Sequence, residues 1–419
     1  MIEPEAPIQL QGWKRLPQRL AAALPNLDLG LILLLLIFSA ILFYRLGDPD
    51  GALIFDETYY VQDARVMLGH LVTSEGLPDK WYSGGDPNAE HPVLAKLIMA
   101  TFISVFQADG TGWRLPSVVL GILSVGMVYG IALALGASRA QARLAAAVLA
   151  FDNLFFIHSR IATLDIYLVG FSLLGTWLYL RKQYELAGIA FGLATCSKIN
   201  GLFSVAAIVA YEILCFWRCR AERVPFAKKP ILLLIGFYAA FTFFLMGALD
   251  CYWTQFRTPT EHVVHIFRYG ASLVREEGVA PQGVESTPIQ WWMNDKAFDY
   301  FAITTSVEGN TNHPIRFQGR LSNYTIAAAP FALLFCLLQG WQANRLAILA
   351  LCLFFFNYAP VFASWALARR ICYLYYMVPC LPAIVLGISM GLQLMPRWCR
   401  YCFVLSVLYS FVYLFPFQD

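Results

Sequence analysis

The chain has 419 residues, of which 59% are hydrophobic and only 14% charged, and its mean hydropathy is +0.58. A water-soluble protein of this size covers its surface with more charge than that, so the composition excludes an ordinary soluble domain. The net charge of +3, without a basic patch interleaved with aromatic residues, argues against nucleic acid as a partner.

The first apolar block, residues 29–46, follows the basic residues Lys14, Arg15 and Arg19. It is too long for a signal peptide and ends in YRLGDPD without a small-residue cleavage site, so we interpret it as a retained signal anchor. Later apolar runs of about twenty residues are long enough to cross a bilayer. They lie near residues 115–135, 143–158, 165–181, 186–217 (two runs, broken around Ser197–Gly201), 230–249, 323–340, 346–366, 371–395 and 401–417. The sequence therefore predicts an all-α polytopic membrane protein with about eleven transmembrane helices.

The basic residues of the short loops give the orientation. When the spans alternate, these residues fall on the side of the N-terminus: Arg139, Arg143, Arg181, Lys182, the run 218–229, Arg345, Arg397 and Arg400. The positive-inside rule places that side in the cytoplasm. We therefore expect one membrane domain over residues 1–419 in the cell inner (plasma) membrane. Its N-terminus is cytoplasmic, and two long loops, 47–114 and 250–322, are external and carry amphipathic helices.

Ionisable residues gather at the external ends of the predicted spans. They are Asp56 and Glu57 in FDE, His91 and Lys96 in EHPVLAK, Arg114 in WRLPS, Arg160 and Asp165 in SRIATLD, Lys198 in SKINGLF, and Arg370 before ICYLYYMVP. Snorkelling or helix flanking explains any one of them, but a set drawn from separate elements at one membrane border indicates a site. Cations beside carboxylates suit chemistry on a lipid-linked phosphate, because Arg and Lys bind phosphate through charge-assisted hydrogen bonds. A transporter would place its charges nearer the bilayer midplane.

The stretch FDETYYVQDARVMLGH predicts an amphipathic helix with Asp56 and Glu57 in its first turn. The helix dipole favours carboxylates there, so simple capping explains the pair as well as catalysis does. Adjacent helical residues point about 100° apart. We therefore expect one member of the pair to act as a base and the other to support it.

In order along the chain, these motifs resemble those of the protein O-mannosyltransferases, GT-C class membrane glycosyltransferases that use polyprenyl-phosphate-linked mannose. EHPVLAK is similar to the family's HPPLGK-type segment, FDN…SRIATLD to its LDN…SR…LD stretch, and SKINGLF to its VKWVGLF. FDE follows the first span as it does in the family, and TPIQWWMNDKAFDYF resembles a tryptophan-containing loop element. The similarity covers nearly the entire chain, which resembles a compact bacterial-type member.

The resemblance implies inverting transfer of a sugar, most simply mannose, from a polyprenyl-phosphate donor to Ser or Thr hydroxyls of exported polypeptides. Asp56 corresponds to the family's catalytic Asp, and Glu57 would orient the acceptor or the base. The remaining residues would form the phosphate site: His91, Lys96, Arg114, Arg160, Lys198 and Arg370, with Asp165 holding Arg160. A free aspartic acid has a pKa of about 3.9, far below that of an alcohol. Proton transfer should therefore come late, with the departing phosphate supplying most of the driving force.

The donor is a substrate, so the resemblance implies no cofactor, and no metal site is assigned. The segment EHVVHIF places His262 and His265 roughly on one helical face beside Glu261, but it lacks the HExxH order and a third ligand for zinc. We interpret it as a substrate-facing amphipathic helix, as the family resemblance implies. HPVLAK and SNYTIAAAP depart from the family pattern. Two alternatives therefore stay open: a related transferase that modifies a lipid or glycan, and a transporter or lipid flippase.

Overall fold

The computed structural model describes residues 27–49, 51–69, 85–106, 109–218, 228–275, 284–307 and 310–417. Lys14, Arg15, Arg19 and residues 219–227 of the basic run lie outside the described residues. The orientation argued partly from them stays a prediction.

The described chain is mostly helical. Its first part forms α1 Leu29–Phe43, α2 Glu57–Met67, α3 Leu94–Phe106, α4 Gly110–Ala134, α5 Arg139–Ala150, α6 Asn153–His158, α7 Leu164–Leu180, α8 Tyr184–Ser197, α9 Gly201–Arg218 and α10 Lys228–Trp253. Its second part forms α11 Pro259–Ser272, α12 Pro288–Met293, strands β1 Phe298–Val307 and β2 Asn310–Gly319, α13 Asn323–Trp341, α14 Arg345–Ala368, a 3₁₀ helix Leu374–Cys380, α15 Leu381–Gln393 and α16 Arg397–Tyr413.

Six helical stretches of the described chain are long and apolar enough to cross a membrane: α4, α9, α10, α13, α14, and the 3₁₀ helix together with α15. Helices α1, α3 and α7 are apolar but shorter. The polytopic helical architecture is thus confirmed, whereas the number of spans stays a prediction. The break predicted around Ser197–Gly201 is also confirmed, since α8 ends at Ser197 and α9 begins at Gly201. The predicted loop 47–114 contains the apolar helix α3, which the sequence analysis did not identify.

The predicted span 143–158 is interrupted at Asp152, where α5 has ended and α6 begins. The buried Asp152 carboxylate accepts hydrogen bonds from two backbone N–H groups in the first turn of α6, at 3.1 and 3.4 Å. It also accepts from the N–H group of Ser322 at the start of α13, at 3.1 Å. A residue that caps a helix adopts a non-helical backbone, so the chain leaves its helical path there.

The loop 250–322 contains the predicted amphipathic helix, α11, and also an antiparallel hairpin of β1 and β2 that the sequence analysis did not predict. The aromatic side chains of Phe298 and Tyr300 in β1 are buried. Both rings contact the ring of Phe55, with centroids 4.7 and 5.3 Å apart. The hairpin therefore supports the residue that directly precedes Asp56.

Helix packing brings distant parts of the chain to one end of the bundle. Helix α4 packs against α7, α7 against α8, and α8 against α10, while α9 packs against α14 and both α13 and α14 pack against α15. Residues at the starts of α4 and α7 and at the ends of α8 and α14 share this end: Arg114, Asp165, Lys198 and Arg370.

Candidate active site

Asp56 stands at the N-terminus of α2, but its carboxylate makes no capping hydrogen bond to the helix. The side chain is half-buried, and the charges of Lys198 and Asp165 act on it. Burial and the Asp165 carboxylate raise the pKa of Asp56 to about 7, against the opposing effects of Lys198 and a hydrogen bond from Tyr60. Capping therefore does not account for Asp56, and its pKa lies where a general base is most effective. We call Asp56, Tyr60, Asp165 and Lys198 the Asp56 cluster.

Lys198 follows the end of α8 and donates to the Asp165 carboxylate in the first turn of α7, with an Nζ–Oδ1 distance of 2.7 Å. Its ammonium group lies over Tyr375 and Tyr376, at 5.3 and 5.6 Å from the ring centroids. Lys198 and Asp165 are both buried. The predicted contact between Asp165 and Arg160 is wrong, because Lys198 engages the Asp165 carboxylate instead.

Glu57 and Arg114 form a buried bidentate ion pair, called the Glu57 clamp, whose two N–O distances are both 2.8 Å. The Glu57 carboxylate also accepts from the backbone N–H groups of Ile54 and Ala162, at 2.8 and 2.9 Å. Arg114 donates in addition to three backbone carbonyls in the segment 46–52, at 2.8 to 3.0 Å. A guanidinium has five N–H donors, and these contacts use all of them. Arg114 thus holds the FDE segment in place and has no donor left for a phosphate.

Arg160 lies beside the Glu57 clamp. Its Nη2 atom donates to the carbonyls of Tyr44 and Arg45, at 3.0 Å each, and ties the turn 159–163 to the end of α1. Its guanidinium carbon lies 4.9 to 5.6 Å from the centroids of three phenylalanine rings, and the side chain is 1% exposed. Its Nε and Nη1 atoms are buried without a hydrogen-bond partner among the described residues, but the rings that enclose the guanidinium favour a structural role for Arg160 over the predicted phosphate contact.

The Lys96 ammonium group is fully buried and is enclosed by the loop 85–93. It contacts the Asp86 carboxylate at 2.5 Å and two backbone carbonyls of the loop at 2.6 and 3.3 Å, with the Asp63 carboxylate at 4.0 Å. An ammonium group has three donors, and the three closest contacts use them. Lys96 thus anchors the loop that carries His91 and has no donor left for a lipid phosphate.

His91 keeps an unused polar atom inside the site. Its ring packs edge-on against Tyr60, with centroids 6.0 Å apart, and its Nδ1 atom is buried without a hydrogen-bond partner among the described residues. Burial and the charges of Lys198, Lys96 and Arg370 hold the pKa of His91 well below its usual range. The imidazole is therefore neutral in the free protein and lies among cations, which suits an arriving anion.

Arg370 follows α14 in a short segment that forms an antiparallel bridge with Val274, just after α11. A Cβ atom built on Gly270 would lie 3.4 Å from an Nη atom of Arg370, so the guanidinium packs against the last turns of α11. The Nε atom is buried without a partner, and no carboxylate in the described ranges pairs with Arg370. Within these ranges, its charge is not neutralised by a carboxylate.

Three acidic partners were not predicted: Asp63 and Asp86, which contact Lys96, and Asp250, which contacts His262. It assigned His262 no role, whereas the structure buries this side chain between Asp250 and the Ala89 carbonyl, at 2.6 and 3.0 Å. Both ring nitrogens are thus engaged by other partners, which removes the geometric basis for a zinc site there. The aromatic run ICYLYYMVP, which supplies the rings under Lys198, was the one signal in the sequence for that contact.

The helical bundle has the fold of the GT-C class of membrane glycosyltransferases, as its likeness to two solved structures shows. The fold resembles that of the S. cerevisiae protein O-mannosyltransferase Pmt1-Pmt2 complex bound to the sugar donor, with a TM-score of 0.66, 14% identity, and coverage of 92% of this chain and 88% of that one. It also resembles ArnT from Cupriavidus metallidurans bound to undecaprenyl phosphate, with a TM-score of 0.56, 15% identity, and coverage of 91% and 69%. At these identities the likeness establishes the fold.

Residues 31–260 match the family described as dolichyl-phosphate-mannose-protein mannosyltransferase. The chain therefore belongs to that family, which confirms the resemblance seen in the motifs. The polyprenol-phosphate-mannose–protein mannosyltransferase of Mycobacterium tuberculosis is 26% identical over 322 residues, 68% of this chain and 59% of the relative. The corresponding protein of Mycolicibacterium smegmatis is 28% identical over 195 residues, 39% of this chain and 36% of the relative. The chain thus matches between 36% and 59% of the length of these two relatives.

Proposed function

We propose that this protein transfers mannose from a polyprenyl-phosphate donor to Ser or Thr hydroxyls of exported polypeptides, with inversion at the sugar carbon. The observation that carries the proposal is Asp56, an uncapped carboxylate with a pKa of about 7 beside the Lys198–Asp165 pair, in a chain of this family. The names of the mycobacterial relatives support the donor and the class of acceptor.

In the proposed reaction, Asp56 accepts the proton of the acceptor hydroxyl while its oxygen forms a bond to the anomeric carbon. The bond from that carbon to the phosphate oxygen breaks, and the electron pair leaves with the polyprenyl phosphate. A pKa of about 7 makes Asp56 a stronger base than a free aspartate. It is still a far weaker base than an alkoxide, so proton transfer stays late. A single displacement of this kind inverts the sugar carbon.

The leaving phosphate requires cations with donors to spare, because charge develops on it as the bond breaks. Arg370 meets this requirement with its buried Nε atom, and the neutral His91 ring offers its buried Nδ1 atom; neither nitrogen has a protein partner among the described residues. Lys198 supplies a second positive group close to Asp56 and keeps part of that carboxylate ionised. Phosphate binding to His91 would favour its protonated form, because an adjacent anion stabilises the imidazolium.

Three of the predicted phosphate ligands take positioning roles in this proposal. Arg114 holds Glu57 and the backbone before Asp56, Arg160 holds the turn that meets the end of α1, and Lys96 holds the loop that carries His91. Since Glu57 is fully buried within the clamp, we assign it to the support of Asp56 and not to the acceptor.

We further propose that the loops 47–114 and 250–322 and the active site face the exterior of the cell inner membrane, with the N-terminus in the cytoplasm. The basic short loops at the opposite end of the bundle support this orientation. An external site is also where an exported polypeptide would meet the head group of a lipid-linked donor.

The direct test incubates the purified protein with radiolabelled polyprenyl-phosphate mannose and a Ser/Thr-containing peptide. A peptide with Ala at every Ser and Thr, and the Asp56→Asn variant, are the controls. We expect label in the first peptide, released by β-elimination, and none in either control. Label in a new lipid product that differs from the donor, and none in the peptide, would assign the chain to lipid modification. Donor translocation across vesicles without sugar transfer would assign it to the flippases.

A further inference from the structure

His262 joins α11 and the end of α10 to the loop 85–93, which is distant in the sequence. It belongs to α11, its Nδ1 atom lies 2.6 Å from a carboxylate oxygen of Asp250 at the end of α10, and its Nε2 atom lies 3.0 Å from the Ala89 carbonyl oxygen. The ring also stacks on Phe256, with centroids 4.6 Å apart and planes 17° from parallel. The side chain is fully buried, so these contacts fix its position.

The partner of Nε2 determines that this ring nitrogen of His262 carries a hydrogen. A carbonyl oxygen can only accept a hydrogen bond, so Nε2 must carry a hydrogen and donate to Ala89. At 2.6 Å the contact between Nδ1 and the Asp250 carboxylate is short and charge-assisted. Asp250 thus orients the ring so that Nε2 points at the loop 85–93.

Within the described part of the chain, that loop has few other hydrogen bonds to the rest of the fold. The Asp86 N–H group donates to the Trp253 carbonyl at 2.6 Å, and the Lys96 ammonium group binds the carbonyls of Asn88 and of His91 itself, at 2.6 and 3.3 Å. Of the tethers from α10 and α11, the His262 contact is the nearest to His91, two residues along the chain at Ala89. The Nδ1 atom of His91 has no hydrogen-bond partner among the described residues, so the placement of the ring depends on its contact with Tyr60 and on the backbone beside it.

We infer that His262, oriented by Asp250, is a positioning residue that acts through the Ala89 carbonyl to hold the His91 imidazole against the phosphate of the donor. The inference rests on the proposed function. It assigns α11 a role in donor binding, by way of a side chain that never touches the donor.

The test compares two variants that each keep one half of the His262 contacts. In His262→Gln the amide nitrogen replaces Nε2 and still donates to Ala89, whereas in His262→Asn it replaces Nδ1 and reaches only Asp250. We expect the Asn variant to raise the KM for polyprenyl-phosphate mannose about tenfold, the effect of one lost hydrogen bond. Its kcat and its KM for the peptide should change little, and the Gln variant should stay within about twofold of the wild type.

His265 provides a matched control, since it lies one turn further along α11 with its ring against the same Phe256, at 5.1 Å. His265→Asn should leave both KM values unchanged. Equal losses in the Asn and Gln variants of His262 would indicate a merely structural role and would overturn the inference.

A double-mutant cycle with His91 completes the test, because residues that act through one another have non-additive effects. In a His91→Ala background, His262→Asn should change the donor KM less than about twofold. A full tenfold loss in that background overturns the inference while leaving the transferase proposal intact, whereas absence of transfer by the wild type overturns the proposed function.

Asp250→Asn, which keeps the shape of the pair, is a milder second variant. It should raise the donor KM about threefold in the wild-type background and leave it nearly unchanged in the His91→Ala background.

Discussion

Arg114→Met tests whether the Glu57 clamp is structural. The substitution removes five hydrogen bonds, and it leaves the fully buried Glu57 carboxylate without a cation and three backbone carbonyls without a donor. Breaking a buried ion pair by removing one partner costs about 3–5 kcal/mol. A domain is typically stable by only about 5–15 kcal/mol. We therefore expect the free energy of unfolding to fall by about 3–5 kcal/mol, a large part of the total.

The assay is denaturant unfolding of the purified protein in detergent micelles, followed by tryptophan fluorescence. Arg143→Met is the matched control, because Arg143 is 43% exposed and pairs with Asp28 at 3.3 Å, so its loss should cost less than about 1 kcal/mol. Adding Glu57→Gln to Arg114→Met should recover part of the loss, since the uncompensated charge is then gone. An Arg114→Met protein of wild-type stability with a much weaker donor KM would refute this reasoning and make Arg114 a phosphate ligand.

Three further outcomes follow from the same geometry. Asp56→Asn should lower kcat about 10²–10⁴-fold with the unfolding transition intact, as measured with labelled donor; undiminished transfer would exclude Asp56 from the chemistry. Because only the ionised base accepts a proton, kcat/KM should rise with pH through a midpoint of about 7 and level off above it. Lys198→Met should move that midpoint upward, since the cation lowers the pKa of Asp56; a flat or falling profile would contradict the assignment. Lys96→Met should lower the free energy of unfolding by about 3–5 kcal/mol, because it leaves the buried Asp86 charge unpaired. Wild-type stability of that variant in the same denaturant titration would contradict the enclosure of Lys96.

Much of the architecture could be predicted because it depends on local sequence. Span-length apolar runs identify membrane helices, and the polar break at residues 197–201 separates α8 from α9. The convergence of charged residues at one end followed from alternating the spans. The partners within that end could not be predicted in the same way. Asp165 meets Lys198 because α7 packs against α8, and no spacing within the motif FDN…SRIATLD contains that information.

The hairpin and the break at Asp152 could not be predicted either, because each depends on a contact with a distant part of the chain. The run FDYFAITTSV is rich in strand-forming residues, but strand formation depends on what the strand packs against. Here that partner is Phe55, more than two hundred residues earlier in the chain. Asp152 is surrounded by an apolar run and was assigned to a continuous helix. Its carboxylate is buried there with hydrogen bonds from the first turn of α6 and from Ser322, at a distant helix start.

The number of hydrogen-bond donors that the protein itself already engages distinguishes the basic residues with a structural role from those that could bind a ligand. Arg114 and Lys96 have every donor engaged by the protein itself, so a phosphate would have to displace contacts that already compensate their burial. His91 and Arg370 instead keep buried nitrogens without partners in the described chain, which lowers the stability of the free protein. In the proposed function an anion held by these two groups satisfies them, so binding of the donor phosphate would stabilise the protein. Charge near the membrane border identified all four residues from the sequence, and the count of unused donors separates their proposed roles; Arg160, which also keeps two unpartnered nitrogens, is set apart by the rings that enclose it.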